Sequence, residues 1–578
     1  GGLVRARSLA IVLEFGRAGS PSRVAGAEGD LLRLITGTDT AWRSEARSGT
    51  QGSPFAGLPW ARIGVDTAGI HAVTGDMVPY ACGSPSATLS LFTGRGRMMG
   101  SSPWDSLYIP RPVPVLVRDG GDGVFDESDS LYFFARGLSW WESDGDSLPG
   151  HFMHQYSGRN FYWLTWGGEP GIPMQTINAG LTGAPAVQRP CLARLHFERD
   201  IIRKPDLVPG DWIWDAALGT GTQWYYHEFD IPGACDGSGI VRVYLVSVSA
   251  GGHATRVLVN GRTVADTVWS GVGAFVLEAR TSSLRPGVNK LDIAIDHGSA
   301  SDDIYIDWFE VFPRMKPALW SSGQTHLPME WRQETGRVRL DWEGGLGGAM
   351  VFAVGGDTHA ALLDGWSGGF LEVEFPSGWA SKELWAVPGG AVMAPASVEY
   401  AEPGGLVTFH GGADRLYIYP EGFEAAALSL FEPGSSSEAV CLTDIYDEFN
   451  GGVRDPWAIT AFLDFVLKAW EPAPVDVILC GGGHFDPRNR AGSRVSLIDP
   501  VRSPGDYFQD DLYAITNGTD VPQFAVSRIC TSDLAAFAIV ASRSAAYRSG
   551  AFAGAWQTRV LGAADDERSS QYSSDETY

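Results

Sequence analysis

The stretch Val475-Asp476-Val477-Ile478-Leu479-Cys480-Gly481-Gly482-Gly483 decides the reading of the carboxyl-terminal part of the chain. Its Val, Ile and Leu residues read as a buried strand, and three consecutive glycines end it. Upstream, Asp455-Pro456 opens a helix that runs to about Trp470. Asp at that position accepts backbone N–H groups, and Pro fits the first turn, where its missing N–H costs nothing. Ile459, Phe462, Leu463, Phe465, Val466 and Trp470 recur at helical spacing. A helix, then a strand with a glycine turn at its carboxyl end, predicts an open parallel α/β sheet. Strands at 416–419, 439–442, 523–528 and 558–562, a weak helix near 423–431 and a helix near 532–548 complete the expectation.

Everything before that sheet reads as β. Short apolar or alternating runs occur at 9–13, 61–65, 107–109, 112–117 and 130–134. A clearer series follows at 241–248, 255–259, 273–277, 289–295 and 304–311, with Asn260-Gly261 as a tight hairpin turn. Many strands, short turns and no long helix point to an antiparallel sandwich or jelly roll. The expected organisation is an N-terminal strand and linker over 1–55 and a β-rich domain over 56–190. A jelly-roll-like sandwich then covers 191–315, a β-rich connecting region 316–411, and an α/β domain 412–578. The fold class is therefore multidomain, β-rich first and open α/β last.

The chain has 578 residues and a formal net charge of −25, with Gly at 73 and Pro at 34. A charge of that sign argues against nucleic acid or an anionic membrane as the main partner, since both need a basic footprint. No apolar run approaches the roughly 18 residues that span a bilayer. The six cysteines are far apart and show no C-x-x-C pair, so neither a zinc cluster nor a disulfide scaffold is expected.

Several residue groups carry candidate chemistry. Cys480 with His484 four residues later suggests a thiolate–imidazolium pair, although a small core hydrophobe is the plainer reading of Cys480. His484 and Asp486 lie on the loop where open α/β sheets place their sites. Asp510-Asp511 and Asp565-Asp566 are paired carboxylates suited to a cation, a basic substrate or the orientation of a histidine, with a solvated loop as the alternative. Asp119, Asp122, Asp126 and Asp129 form an acidic glycine-containing turn that leaves room for a structural calcium but misses the EF-hand spacing. No phosphate-binding glycine motif is present. The aromatic runs 140–141, 161–163 and 212–214 are expected to pack within sheets rather than to line a carbohydrate platform.

Over residues 441–530 the chain resembles the gingipain-like cysteine peptidases, a family that includes the surface sortase-like members of the type IX secretion pathway. The segments that carry the resemblance are 447–459 (DEFNGGVRDPWAI), 477–488 (VILCGGGHFDPR), 510–514 (DDLYA) and 524–529 (FAVSRI). Two departures stand out: Gly482 replaces the family's usual Asp, and Ser527 precedes Arg528 where the family has Gly. Upstream, 122–137, 160–165, 259–261, 287–291 and 307–311 are similar to the β regions of the sortase-like members.

The resemblance implies a cysteine-type endopeptidase acting on protein or peptide substrates, in which a thiolate attacks a peptide carbonyl. Processing or sorting of secreted surface proteins would be its use. It implies an extracellular or cell-surface, outer-membrane-associated location, with other outer-membrane secretion components as partners. It requires no cofactor. The family's catalytic His, in Gly-His-Gly, and its Cys, at the end of a later strand, are expected beyond Tyr578. The chain thus reads as the front part of a peptidase. Asp565 or Asp566 stands near the family's His-orienting acid, and His484, Asp486, Asp510 and Asp511 are candidates for substrate binding. The alternative is a non-catalytic secreted β-sandwich binding or scaffold protein with a degenerate peptidase-like domain.

Overall fold

The computed structural model describes residues 55–558, apart from 56, 95, 101–109, 143–147, 182–186, 189–190, 204–211, 298–301, 321–322, 330–336, 367–368, 377–378, 380–381, 403–404, 493–494, 504–506 and 517–520. The strands expected at 9–13 and 107–109, and the carboxylates Asp565 and Asp566, lie outside the described residues. Thr558, the first residue of the strand expected at 558–562, ends a short 3-10 turn, Ala555–Thr558.

Strands β1 (Trp60–Val65) and β2 (Asn160–Thr165) form the centre of an antiparallel sheet. Ser397–Ala401 lies on the far side of β1, and Ser90–Thr93 then Arg111–Val113 continue beyond β2. A second sheet, built from Gly69–Thr74, Ser130–Ala135 and Leu116–Arg118, shares a core with it through Ile63, Val65, Val73, Leu131, Phe133, Tyr162 and Leu164. Tyr162 and Trp163 are both fully buried, so this aromatic run packs as a pleated strand should.

The sandwich consists of β3 (Thr222–Ile231), β4 (Cys235–Ser247), β5 (Gly252–Val259), β6 (Arg262–Ser270), β7 (Gly273–Thr281), β8 (Gly287–Asp296) and β9 (Asp302–Met315). One sheet has the order β3-β8-β5-β6, and the other pairs β9 with β4 and β4 with β7. Alternate residues face inward, so Phe229, Val257, Leu291 and Ile293 meet Val243, Leu277, Ile306 and Phe309 in one core. The β5–β6 hairpin turns at Asn260 and Gly261, whose φ values of 49° and 78° fit the turn that matches strand twist. Residues between the sandwich and 401 build further sheets: Gln175–Asn178 pairs with Ala360–Asp364, and Ser397–Ala401 returns to β1.

The last layer is a four-stranded, all-parallel sheet in the order β11-β10-β12-β13. Its strands are β10 (Arg415–Tyr419), β11 (Ser437–Cys441), β12 (Asp476–Leu479) and β13 (Ala525–Arg528). The helices are α1 (Glu424–Leu428), α2 (Leu442–Asn450), α3 (Pro456–Ala469) and α4 (Leu534–Arg548). Leu416, Ile418, Val477 and Leu479 share a core with α2 and α3, while Tyr417 and Ile478 pack with α1 and α4. Asp455 caps α3, accepting from the Trp457 amide, as its Asp-Pro sequence predicts.

Candidate functional site at the carboxyl edge of the parallel sheet

The glycine run follows β12 directly, and its backbone is knitted to both neighbouring segments. Gly482 N–H donates to Thr531 O at 2.8 Å, and Gly482 O accepts from Leu497 N–H at 2.9 Å. A Cβ at Gly483 would stand 2.9 Å from Ile498 O, closer than real side chains allow, so that position requires glycine. A Cβ at Gly482 would meet nothing nearer than 3.4 Å. A Cβ there would make ordinary van der Waals contact with Thr531.

Two arginines hold the edge in place. Arg528, at the end of β13, donates from Nε and Nη2 to the Asp510 carboxylate and from Nη1 to Gly481 O and Ile498 O. Arg454 donates from Nε and Nη2 to the two oxygens of Asp499, which is fully buried, and from Nη2 to Ser496 O. Tyr513 donates its hydroxyl hydrogen to Asp499 O. Planar guanidinium groups satisfy two acceptors at fixed angles, so these contacts define geometry as well as neutralise charge. Asp499 and Asp510 hold Arg454 and Arg528 above the ordinary arginine value against the opposing effect of burial.

The loop after the glycines is pinned against the β region. His484 N–H donates to Ser496 Oγ, and His484 Nδ1 accepts from the Asp486 amide at 3.2 Å. Asp486 is completely buried, and its Oδ2 accepts from the Ala491 amide at 2.8 Å. The Phe485 ring lies parallel to Trp212 within 18°, and the Arg203 guanidinium stands 4.3 Å above it. Arg490 bonds Asp200 at 2.5 Å. Burial, against the pull of Arg490, still raises Asp200 to about 6. A cavity of about 30 Å³ remains between Trp212, Phe485, Arg490 and Phe508, room for about one water.

The segment 447–456 is anchored from both sides. Asp447 accepts from Arg62 of β1 at 3.1 Å, and Glu448 accepts from the Leu406 and Val407 amides. Trp163 of β2 donates its indole N–H to Gly451 O at 2.9 Å. Asp455 uses Oδ1 on the Trp457 amide and Oδ2 on the Met99 amide. His154 sits 3.9 Å from Asp455, fully buried, and accepts at Nδ1 from the Tyr156 and Ser157 amides. Burial, with Arg488 nearby, pushes that imidazole down to about 3.

The sequence candidates therefore fall in different settings. Cys480 is fully buried, its Sγ lies 3.8 Å from Ile478 O, and burial raises its thiol to about 12. That environment favours the thiol over the nucleophilic thiolate, as the reading of a small core hydrophobe expects. His484 and Asp486 share one loop through a backbone contact rather than a side-chain pair. Asp510 belongs to Arg528, and the exposed Asp511 begins a 3-10 turn beside it that ends on the fully buried Tyr513. Asp119, Asp122, Asp126 and Asp129 each accept an amide of their own turn. Sequence reasoning missed Arg454, Asp499 and Asp455 Oδ2 as organisers. A half-buried arginine paired with a buried aspartate 45 residues away leaves no periodic or local signal to find it by.

Comparison with known proteins bears on this sheet directly. Residues 410–578 match the model of peptidase family C25, the family that the segments of the same region resemble. No curated protein is recognisably similar to the chain. Among solved structures, dimeric latent PorU from Porphyromonas gingivalis superposes with a TM-score of 0.68 at 17% identity, covering 90% of this chain and 52% of that one. The chain thus spans about half the length of that structure, and the likeness extends the shared fold through the β regions as well. A family 35 carbohydrate-binding module from Clostridium thermocellum is 15% identical over 21% of this chain and 97% of the module, with a TM-score of only 0.15. A superposition that limited carries no information about this chain.

Proposed function

We propose that the protein is a cysteine-type endopeptidase of the gingipain-like kind, with residues 410–578 forming the first part of an open α/β catalytic domain. The match of those residues to peptidase family C25 carries the reading. The parallel sheet supports it, because its carboxyl edge bears a glycine turn bonded by Arg528, next to the 496–499 segment that Arg454 bonds. The buried thiol of Cys480 leaves the nucleophile to a different cysteine, which in this reading follows a Gly-His-Gly segment outside these 578 residues. That thiolate would attack the peptide carbonyl, a nearby imidazole would carry the proton to the leaving amine, and backbone N–H groups would stabilise the oxyanion. No cofactor enters the chemistry. Secreted or surface proteins at the outer membrane are the proposed substrates, and components of their secretion machinery the proposed partners.

The test is to read the gene beyond codon 578 and assay the complete product on peptide and protein substrates. A downstream His and Cys, with cleavage abolished by the Cys→Ala variant, is the expected result. A complete product that carries no such pair, or that cleaves equally well without the thiol, would overturn the reading.

A further inference from the structure

Where the N-terminal β region meets the sandwich, two histidine rings lie one on the other. Leu195–Glu198 pairs with β9, which pairs with β4, so His196, Glu310 and Arg242 stand in one row across the sheet. Their neighbours Phe197, Phe309 and Val243 point the other way, into the core. Against the outer face lies an antiparallel strand pair, Ser139–Glu142 with Gly150–Met153. Trp141 meets Phe312 edge-on at 5.4 Å, and Arg242 Nη2 donates to Pro149 O at 2.6 Å. The His151 ring stacks on His196 with centroids 3.8 Å apart and planes within 19°.

The two rings carry different charges. His196 Nε2 lies 2.9 Å from Glu198, and its Nδ1 lies 3.1 Å from Glu310. Arg242 bonds the other oxygen of the buried Glu310 and keeps that carboxyl ionised. A carboxylate only accepts, so both His196 nitrogens donate and the ring is an imidazolium. Burial lowers His196, but its bonds to Glu198 and Glu310 outweigh that and raise it. His151 has no carboxylate partner among the described residues: Nε2 bonds Ser139 Oγ at 2.8 Å, and Trp141 stands edge-on at 5.0 Å. Burial and the His196 charge hold it down at about 3. The remaining charges at the junction are engaged elsewhere, Glu142 with Arg97, and Asp200, beyond Glu198, with Arg490. A proton on Asp200 removes a charge that repels Glu198, so its titration tightens the junction as pH falls.

We propose that His151 and His196 form an acid-sensitive latch between the N-terminal β region and the sandwich. The strand pair stays docked while His151 is neutral; a proton on His151 sets two cations face to face and releases it. The inference stands apart from peptidase activity. A free two-stranded ribbon is marginal in water, so release opens its amides to solvent. Hydrogen exchange of the 578-residue chain, read by mass spectrometry at pH 7.5 and pH 5 and corrected for intrinsic rates, tests this. Protection over 139–142 and 150–153 should fall about 30-fold between those pH values, as for a group titrating at about 3 docked and at 6.5 free. His151→Phe keeps a stacked ring without the proton and should abolish most of the fall. His196→Gln removes the cation beneath and should shrink the fall as well, which keeps the test open where the Phe variant does not fold. Constant protection in the parent, or a fall that both variants share, would overturn the proposal. So would an equal fall in β3 and β8, which marks global unfolding, or a fall that disappears in His154→Asn and survives in His151→Phe.

Discussion

The Arg528 guanidinium grips the Asp510 carboxylate through two parallel bonds of 2.7 and 2.6 Å, and its remaining nitrogen reaches the carbonyls of Gly481 and Ile498. One side chain thus joins the last described strand of the parallel sheet, the glycine turn and the 510 turn. Removing it strands a carboxylate and two carbonyls at once. Arg528→Ala should cost about 3 kcal/mol, the order expected when one partner of a largely buried ion pair is removed. Arg528→Lys should recover less than half, since an ammonium cannot span both acceptor sets. Denaturant unfolding followed by tryptophan fluorescence measures both; a change under 1 kcal/mol for the alanine variant would refute the bridging role.

The cysteines should separate by reactivity. Cys480 is fully buried with its thiol raised to about 12, and Cys530 is exposed. Iodoacetamide applied to the native protein at pH 8 should label Cys530 within minutes and leave Cys480 untouched until denaturant is added. Peptide mass spectrometry reads the outcome, and native labelling of Cys480 would contradict its buried placement.

Acid should weaken the junction through His154. Its folded value lies near 3 against an ordinary 6.5, so between those values the unfolded chain binds a proton that the folded one does not. Stability therefore rises with pH across that window and is lost as pH falls from about 6.5. By pH 5 the loss attributable to this group should reach about 2 kcal/mol. His154→Asn, whose carboxamide oxygen can still accept from Tyr156 and Ser157, should lack it. Comparing the parent and this variant at pH 7.5 and pH 5 cancels the other titrating groups, and parallel profiles would disprove the assignment.

Asp455 is both a helix cap and a tie to the N-terminal region, through the Trp457 and Met99 amides. Asp455→Ala should destabilise by about 2–3 kcal/mol, above the roughly 1 kcal/mol of an ordinary cap. Asp455→Asn keeps an acceptor oxygen for the cap and should lose less. Unfolding midpoints that are equal for the two variants would argue against the double role.

Much of this architecture can be read in the chain before any coordinates. Asn260-Gly261 announces its hairpin, because few residues other than Asn and Gly accept the φ values of 49° and 78°. Asp455-Pro456 announces α3 because a cap and a Pro at the first turn have local chemistry. Helix α2 was missed although Leu442, Ile445, Tyr446 and Phe449 follow helical spacing, because Ala439-Val440-Cys441-Leu442 reads more readily as a strand running through its start. The pairing of Ser397–Ala401 with β1 joins residues more than 330 apart, and no local pattern encodes such a partnership. The resemblance located the edge of the parallel sheet, while the arginine contacts that stiffen it depend on distant carboxylates and carbonyls that only folding brings near. Asp447 is buried against Arg62 and raised to about 7 by that burial, a placement its residue type does not signal.

The docking of 447–456 between Arg62, Trp163 and Met99 ties the ancestry of two regions together. A drift at Trp163 would orphan Gly451 O, and a drift at Arg62 would leave Asp447 without its cation. Change on one side is tolerated only with a matching change on the other. Homologues should therefore vary at these positions in pairs, and a chimaera that joins the β regions of one relative to the sheet of another should fail at this seam first.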